Sequence, residues 1–169
     1  MLPPNSSDMR NTMTCRPLKN DLQTLIRKIS AEDTYPVRQE VLRPGRPLKE
    51  CFFEGDLELE TIHLGYFDGE NLVAIATYVA RKNHLFEATF QYQLRGMAVL
   101  SAYRGKDLGK KLLLEGERLL KEKDPQLLLW FNARETAVGF YEKFGYKTIG
   151  SPFMIPNVCM HIVMYRNPI

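Results

Sequence analysis

The sequence predicts one α/β domain, with a mixed and mostly antiparallel sheet flanked by helices. Three observations carry that prediction. Residues 61–67, 72–81 and 88–99 are apolar-rich runs joined by short turns, the pattern of an antiparallel meander. An amphipathic helical pattern over about 108–122 has Leu112, Leu113, Leu119 and Leu120 as its buried stripe. After it, residues 127–131 are continuously apolar, as a strand covered on both faces must be. Strand, helix and strand in that order make a right-handed crossover to a parallel neighbour.

The elements follow in chain order. Residues 1–11 are polar and proline-containing and read as a flexible lead-in, leaving 12–169 as the single domain. Residues 13–18 read as a short first strand that ends near Pro17. Asn20 or Asp21 can cap a helix with Leu22, Leu25, Ile26 and Ile29 on one face. Residues 30–33 read as a break, and 34–42 as a second short helix stopped by Arg43-Pro44-Gly45-Arg46-Pro47. Residues 48–60 read as loop, with extended structure around 51–53. Asp68-Gly69-Glu70-Asn71 is a hairpin turn between the next two strands. Gly116 weakens its helix by ~1 kcal/mol against Ala, so a close helix–sheet approach is expected there. Residues 135–144 form the next helix, with Gly145 as its C-cap. Residues 146–149 and 159–165 are a final pair of strands, and 150–157 connects them.

Composition excludes several classes. The 169 residues, 44% apolar and 25% charged, suit one globular domain. A net charge of +3 is too small to argue for nucleic acid or an anionic membrane. Cys15, Cys51 and Cys159 are widely separated and odd in number, which fits a reducing cytoplasm and gives no metal-binding spacing. No apolar run approaches the ~20 residues of a membrane helix.

The chemistry concentrates where the long strand meets the amphipathic helix. Residues 104–110, Arg104-Gly105-Lys106-Asp107-Leu108-Gly109-Lys110, deliver the chain to a helix N-terminus with basic side chains around it. Unpaired N–H groups and the helix dipole make such an end an anion site, and the phosphate of a ligand is the natural occupant. Gly105 and Gly109 are one residue too close for a nucleoside-triphosphate loop, and Lys111 stands where the metal-binding hydroxyl belongs. A dinucleotide G-x-G-x-x-G loop is absent.

This stretch resembles the acyl-CoA-binding motif of the GNAT N-acetyltransferase superfamily, Arg/Gln-x-x-Gly-x-Gly/Ala, with Asp107 in place of one glycine. Asp tolerates left-handed backbone angles, so the turn survives the exchange. A second stretch, Asn132-Ala133-Arg134-Glu135-Thr136-Ala137-Val138-Gly139-Phe140-Tyr141-Glu142-Lys143-Phe144-Gly145-Tyr146, is similar to the superfamily's Asn…Phe-Tyr-Glu-Lys-x-Gly-Phe segment. Residues 94–99, 41–45 and 63–65 resemble small bacterial members of the ElaA/YitI type. The resemblance spans almost the whole domain. It implies the GNAT acyl-CoA N-acyltransferase fold, splayed between the fourth and fifth strands, with acetyl-CoA as co-substrate.

The resemblance also assigns roles. Tyr141 is the expected general acid near the CoA sulfur, with a core tyrosine as the bland alternative. Met97, Ala98 and Val99 offer main-chain groups to the pantetheine arm and an oxyanion donor, while Arg104, Gly105, Lys106, Asp107, Leu108, Gly109 and Lys110 cradle the pyrophosphate. Gly96 reads equally as a bulge that begins the splay or as a packing glycine. Asn132 contacts the pantetheine amide or a catalytic water, or caps the following helix. The base stays open among a water held near Gln93, His161, and a water chain to bulk. Tyr35, Arg38, Arg43 and Phe53 are the expected acceptor-binding residues, the two arginines suiting a carboxylate or phosphate.

Three functions follow from this reading. The first is transfer of an acetyl group from acetyl-CoA to a primary amine on a small molecule or peptide. The second is an acyl-CoA-binding regulatory module with weak or no catalysis, which Asp107 and Gln93 favour. The third, nucleic-acid binding through Arg95, Arg104, Lys106, Lys110 and Lys111, lacks supporting net charge and stacking aromatics. No metal is implied, and homodimerisation is left open by the sequence.

Overall fold

A computed structural model describes residues 25–156 and 158–169. The lead-in, the expected first strand at 13–18 and the cap at 20 or 21 lie outside these residues.

Seven strands form one sheet in the order β1-β2-β3-β4-β5-β7-β6. They are β1 (Ile26–Lys28), β2 (Ile62–Asp68), β3 (Asn71–Ala80), β4 (Gln91–Val99), β5 (Leu128–Arg134), β6 (Lys147–Ile155) and β7 (Cys159–Arg166). All neighbours are antiparallel except β4 and β5. The helices are α1 (Ala31–Leu42), α2 (Leu108–Lys123) and the short α3 (Val138–Glu142).

Side-chain alternation along β3 assigns the two helix layers to opposite faces. Thr77 bonds to Arg38 of α1, whereas the neighbouring Tyr78 donates its hydroxyl to the Leu112 carbonyl of α2 at 3.0 Å. The α2 face holds the main apolar core, with Leu112, Leu113 and Leu120 packed over Ala74, Ala76, Leu94, Leu129 and Phe131. Gly116 is where α2 touches the sheet: a Cβ there would stand 2.0 Å from the Tyr78 ring. The close approach expected of that glycine is therefore present.

The α1 face is polar at its centre. Arg38 is fully buried and pairs bidentately with Asp56, at 2.5 and 2.9 Å. It also donates to Thr77 Oγ1 and to the Cys51 carbonyl. His63 completes the cluster, with Nδ1 on Thr77 Oγ1 and Nε2 on the Asp56 carbonyl. Asp56 accepts from the Phe53 N–H as well, which fixes the 48–61 segment against the sheet.

Several boundaries differ from the expectation. Residues 26–28 pair with Leu64–Tyr66 as a strand rather than continuing a helix. A few apolar residues at 22–29 satisfy either period, and strand pairing wins because Ile29 N–H also reaches the His63 carbonyl. The break at 30–33 is instead a helix start. Ser30 and Asp33 form a reciprocal capping box, with bonds of 3.2 and 2.9 Å. Residues 48–51, expected as loop, form a 3-10 turn, and Phe52 after it is extended. The helix over 135–144 is split into a 3-10 turn, Glu135–Ala137, and α3. Strand β6 runs through most of the expected connection, with an irregular register between Ile149 and Phe153.

Candidate active site

The site is built on an interrupted strand pairing. Strand β4 pairs with β3 along its length, but with β5 only at Gln91–Leu128, Tyr92–Leu129 and Gln93–Trp130. From Leu94 onward its β5-facing edge is unpaired, and the strands diverge as a V with its apex at Gln93. Gly96 sits at the start of the opening with φ of +69°, inside the bulge that shifts the β3–β4 register between Ile75 and Thr77. That angle favours glycine, and a Cβ would press on Phe53 at 3.1 Å and Arg38 Nε at 3.2 Å. Gly96 is thus both the bulge and a close-packing residue.

A cleft of about 1040 Å³ fills the V and runs to the N-terminus of α2. At that end Gly105 has φ of +77° and Asp107 φ of +60°, so the turn uses two left-handed residues in three. The first intrahelical bond runs from Lys111 N–H to the Asp107 carbonyl, which leaves the preceding N–H groups of the first turn for a ligand. The Asp107 carboxylate caps nothing. Arg104, Gly105, Asp107, Leu108, Gly109 and Lys110 all line the cleft. Lys106 does not; its ammonium lies 4.9 Å from the Tyr103 ring centroid.

Strand register sorts the remaining residues by face. Met97 and Val99 approach Gly109 on the α2 face. Tyr141 joins them there, packed on Phe131 at 4.2 Å. Its hydroxyl has no hydrogen-bond partner among the described residues, and burial raises its pKa, so the phenol holds its proton throughout the neutral range. On the opposite face lie Gln93 and Arg95 of β4 and Trp130, Asn132 and Arg134 of β5. His161 of β7 pairs with Arg134 and shares that face.

His161 Nδ1 is 2.8 Å from its neighbour Cys159's carbonyl oxygen, an acceptor. Nδ1 therefore carries the hydrogen, and Nε2 is the ring's acceptor nitrogen. The buried Gln93 Oε1 has no partner, an orphaned acceptor at the apex of the V. The other histidines are elsewhere: His63 uses both nitrogens in the core cluster, and exposed His84 is not on the cleft.

The expected acceptor residues divide. Arg43 and Phe53 line the cleft. Tyr35 does not, and Arg38 is a correction: its guanidinium is sealed under Phe53, 4.3 Å from the ring centroid, and spent on Asp56. Asn132 lies in β5, and the residue before the next turn is Arg134, so it is not a cap. The sequence reading missed Arg81 and Arg134 on the cleft and gave Arg95 another role. Their spacing held a signal, since Gln93 and Arg95, and Trp130, Asn132 and Arg134, recur with the period of two that places side chains on one face.

The open edge of β4 thus lies beside a helix N-terminus whose first-turn N–H groups are unpaired. Residues 50–165 match the family described as the acetyltransferase (GNAT) domain, and the chain belongs to that family and is an acyltransferase. It is 38% identical to the uncharacterized N-acetyltransferase YitI of Bacillus subtilis (strain 168) over 141 residues, 83% of this chain and 94% of that protein. The crystal structure of Escherichia coli ElaA superposes with a TM-score of 0.68 at 17% identity, covering 83% of this chain and 97% of that one. An aminoglycoside 6'-N-acetyltransferase solved with coenzyme A superposes with a TM-score of 0.62 at 17% identity, covering 85% and 97%. No helix among the described residues is long and apolar enough to cross a membrane.

Proposed function

We propose that this protein moves an acetyl group from acetyl-CoA to the primary amine of a small molecule or peptide, by direct attack of the amine on the thioester. One observation carries the reading. The β4–β5 pairing stops at Gln93–Trp130, and a single cleft joins the first turn of α2 on one face to His161 on the other. The pyrophosphate fits the amides of 105–110 with Arg104 and Lys110, and the pantetheine arm fits the unpaired edge at Met97–Val99 as an added strand. An N–H on that edge then faces the thioester oxygen as the oxyanion donor. Asn132 is positioned for the arm's amide or an ordered water.

The amine enters from the α1 face. Gln93 Oε1 accepts a hydrogen bond from it, and His161 Nε2 takes its proton. The nitrogen bonds to the thioester carbon, the C–S bond breaks, and Tyr141 donates its proton to the departing thiolate. Solvent then returns a proton to Tyr141 and removes one from His161.

The test is an acceptor panel scored by free-thiol release. Tyr141→Phe is expected to lower kcat by about 10²–10⁴-fold with little change in KM for acetyl-CoA. His161→Gln is expected to lower kcat/KM for the amine, with KM for acetyl-CoA little changed. An undiminished Tyr141→Phe rate sinks the assignment of the acid. Acetyl-CoA binding with no transfer to any amine favours the regulatory-module reading instead.

A further inference from the structure

We propose that the acceptor is an amine that also carries an oxyanion group, a carboxylate or phosphate, bound by Arg43, Arg95 and Arg134 on the α1 face of the cleft. The proposal rests on the transferase reading of that cleft and names its substrate class.

The arginines of this region fall into two groups. Arg38 is neutralised by Asp56, and Arg81 is paired with Glu54 at 3.4 Å. Arg43, Arg95 and Arg134 form no ion pair among the described residues. All three are half-buried and line the cleft. They also converge. The guanidinium carbons of Arg43 and Arg95 lie 5.6 and 5.1 Å from the centroid of the same Phe53 ring. Arg43 and Arg134 both line the adjoining hollow of about 590 Å³ as well.

Holding three like charges together at partial burial is unfavourable without a counter-charge. Burial, and after it the neighbouring Arg81, lower the pKa of Arg95, although a guanidinium remains protonated. Asp56 and Glu54 offset this only in part, and neither forms an ion pair with Arg95, whose guanidinium donates to the Glu54 carbonyl at 3.2 Å. Glu54 is committed to Arg81, and Glu135, on the adjoining hollow, pairs with none of the three. A ligand oxyanion supplies what is missing, and a guanidinium fork matches carboxylate or phosphate geometry.

Acetyl-CoA's pyrophosphate does not account for the cluster. Its turn at 104–110 adjoins the α2 face, where Met97 and Val99 meet Gly109. Arg95 and Arg134 project from the other face, that of Gln93 and His161. The same field disfavours polyamines and cationic amino sugars, whose additional ammonium groups would meet three arginines.

The test compares acceptors of equal length: an ω-amino carboxylate, an aminoalkyl phosphate, the matching amino alcohol and a diamine. Thiol release is expected to show kcat/KM for the better anionic acceptor about 10- to 100-fold above the amino alcohol, with the diamine lowest. The two anionic arms distinguish carboxylate from phosphate. Arg95→Gln and Arg134→Gln are each expected to bring the anionic-to-neutral ratio towards one, with thermal midpoints reported alongside. A second arm needs no turnover: calorimetry on the Tyr141→Phe protein with acetyl-CoA present, titrating the amino carboxylate, the aminoalkyl phosphate or the alcohol. Anion-dependent binding there without transfer in the native protein overturns the transferase reading and leaves the anion site standing. Equal binding and equal turnover of anionic and neutral acceptors, or a preferred diamine, overturns the proposal.

Discussion

The two faces of the sheet are stabilised by different physics. On the α2 face a leucine-lined helix lies against small and aromatic side chains, with Gly116 allowing contact with Tyr78. On the α1 face a buried ion pair and its hydrogen bonds to Cys51, Phe53 and Thr77 hold the sheet to α1 and to residues 48–61. The apolar face carries a crossover helix whose N-terminus opens on the cleft. The polar face fixes guanidinium groups in place and so gives the cleft a charged wall. One strand, β4, borders both, and its unpaired edge is where the faces communicate.

The largest expected effect tests the polar face. Asp56→Asn leaves the Arg38 charge buried without a counter-ion and is expected to destabilise the fold by about 3–5 kcal/mol, read by urea denaturation. The double change Arg38→Met with Asp56→Leu should recover much of that loss. Equal losses in the single and double variants would refute the ion-pair account.

The apolar face is tested by Gly116→Ala. The new methyl group meets the Tyr78 ring at 2.0 Å, so the helix must lift or the ring must turn. A loss of about 1–3 kcal/mol is expected despite alanine's better helix propensity. KM for acetyl-CoA should rise too, because α2 presents the phosphate turn. A stabilised Gly116→Ala protein would mean that the helix stands further from the sheet than described.

The last effect, the smallest per residue, appears at high pH and is greatest on the α2 face. Burial raises the pKa of Tyr78, Tyr141 and Tyr146. Below pH ~10 both folded and unfolded chains hold these protons. Above it the unfolded chain releases them and the folded chain does not, so stability falls as pH rises, by up to about 1.4 kcal/mol per pH unit for each tyrosine. Urea midpoints between pH 8 and 11 should show this slope, reduced by one tyrosine's share in Tyr141→Phe.

The same division explains what could be read from the chain. The meander, α2 and the crossover are local patterns of period two or 3.6, and the structure places them within a few residues of the expectation. The turn at 104–110 and the segment holding Tyr141 stand out as motifs because their residues are contiguous. Arg38 was misread because its partner, Asp56, lies 18 residues away in a segment without periodicity. A buried arginine and a ligand-binding arginine look alike in sequence. Arg43 was anticipated, but Arg95 and Arg134 were not joined to it, because the three come from different elements and only the assembled sheet brings them to one cleft. Residues 26–28 were misread because so short a run cannot distinguish a strand from a helix.

Phe53 rests on the Arg38 guanidinium, and the atoms that would crowd a side chain at position 96 belong to those same two residues. The floor of the cleft on the α1 side and the kink that frees the strand edge thus share one foundation. Drift in acceptor preference is consequently easier at the rim, where Arg43 and Arg134 stand, than underneath. A change at Arg38 would disturb recognition and acyl-donor docking together, whereas one at the rim can retune the first and spare the second.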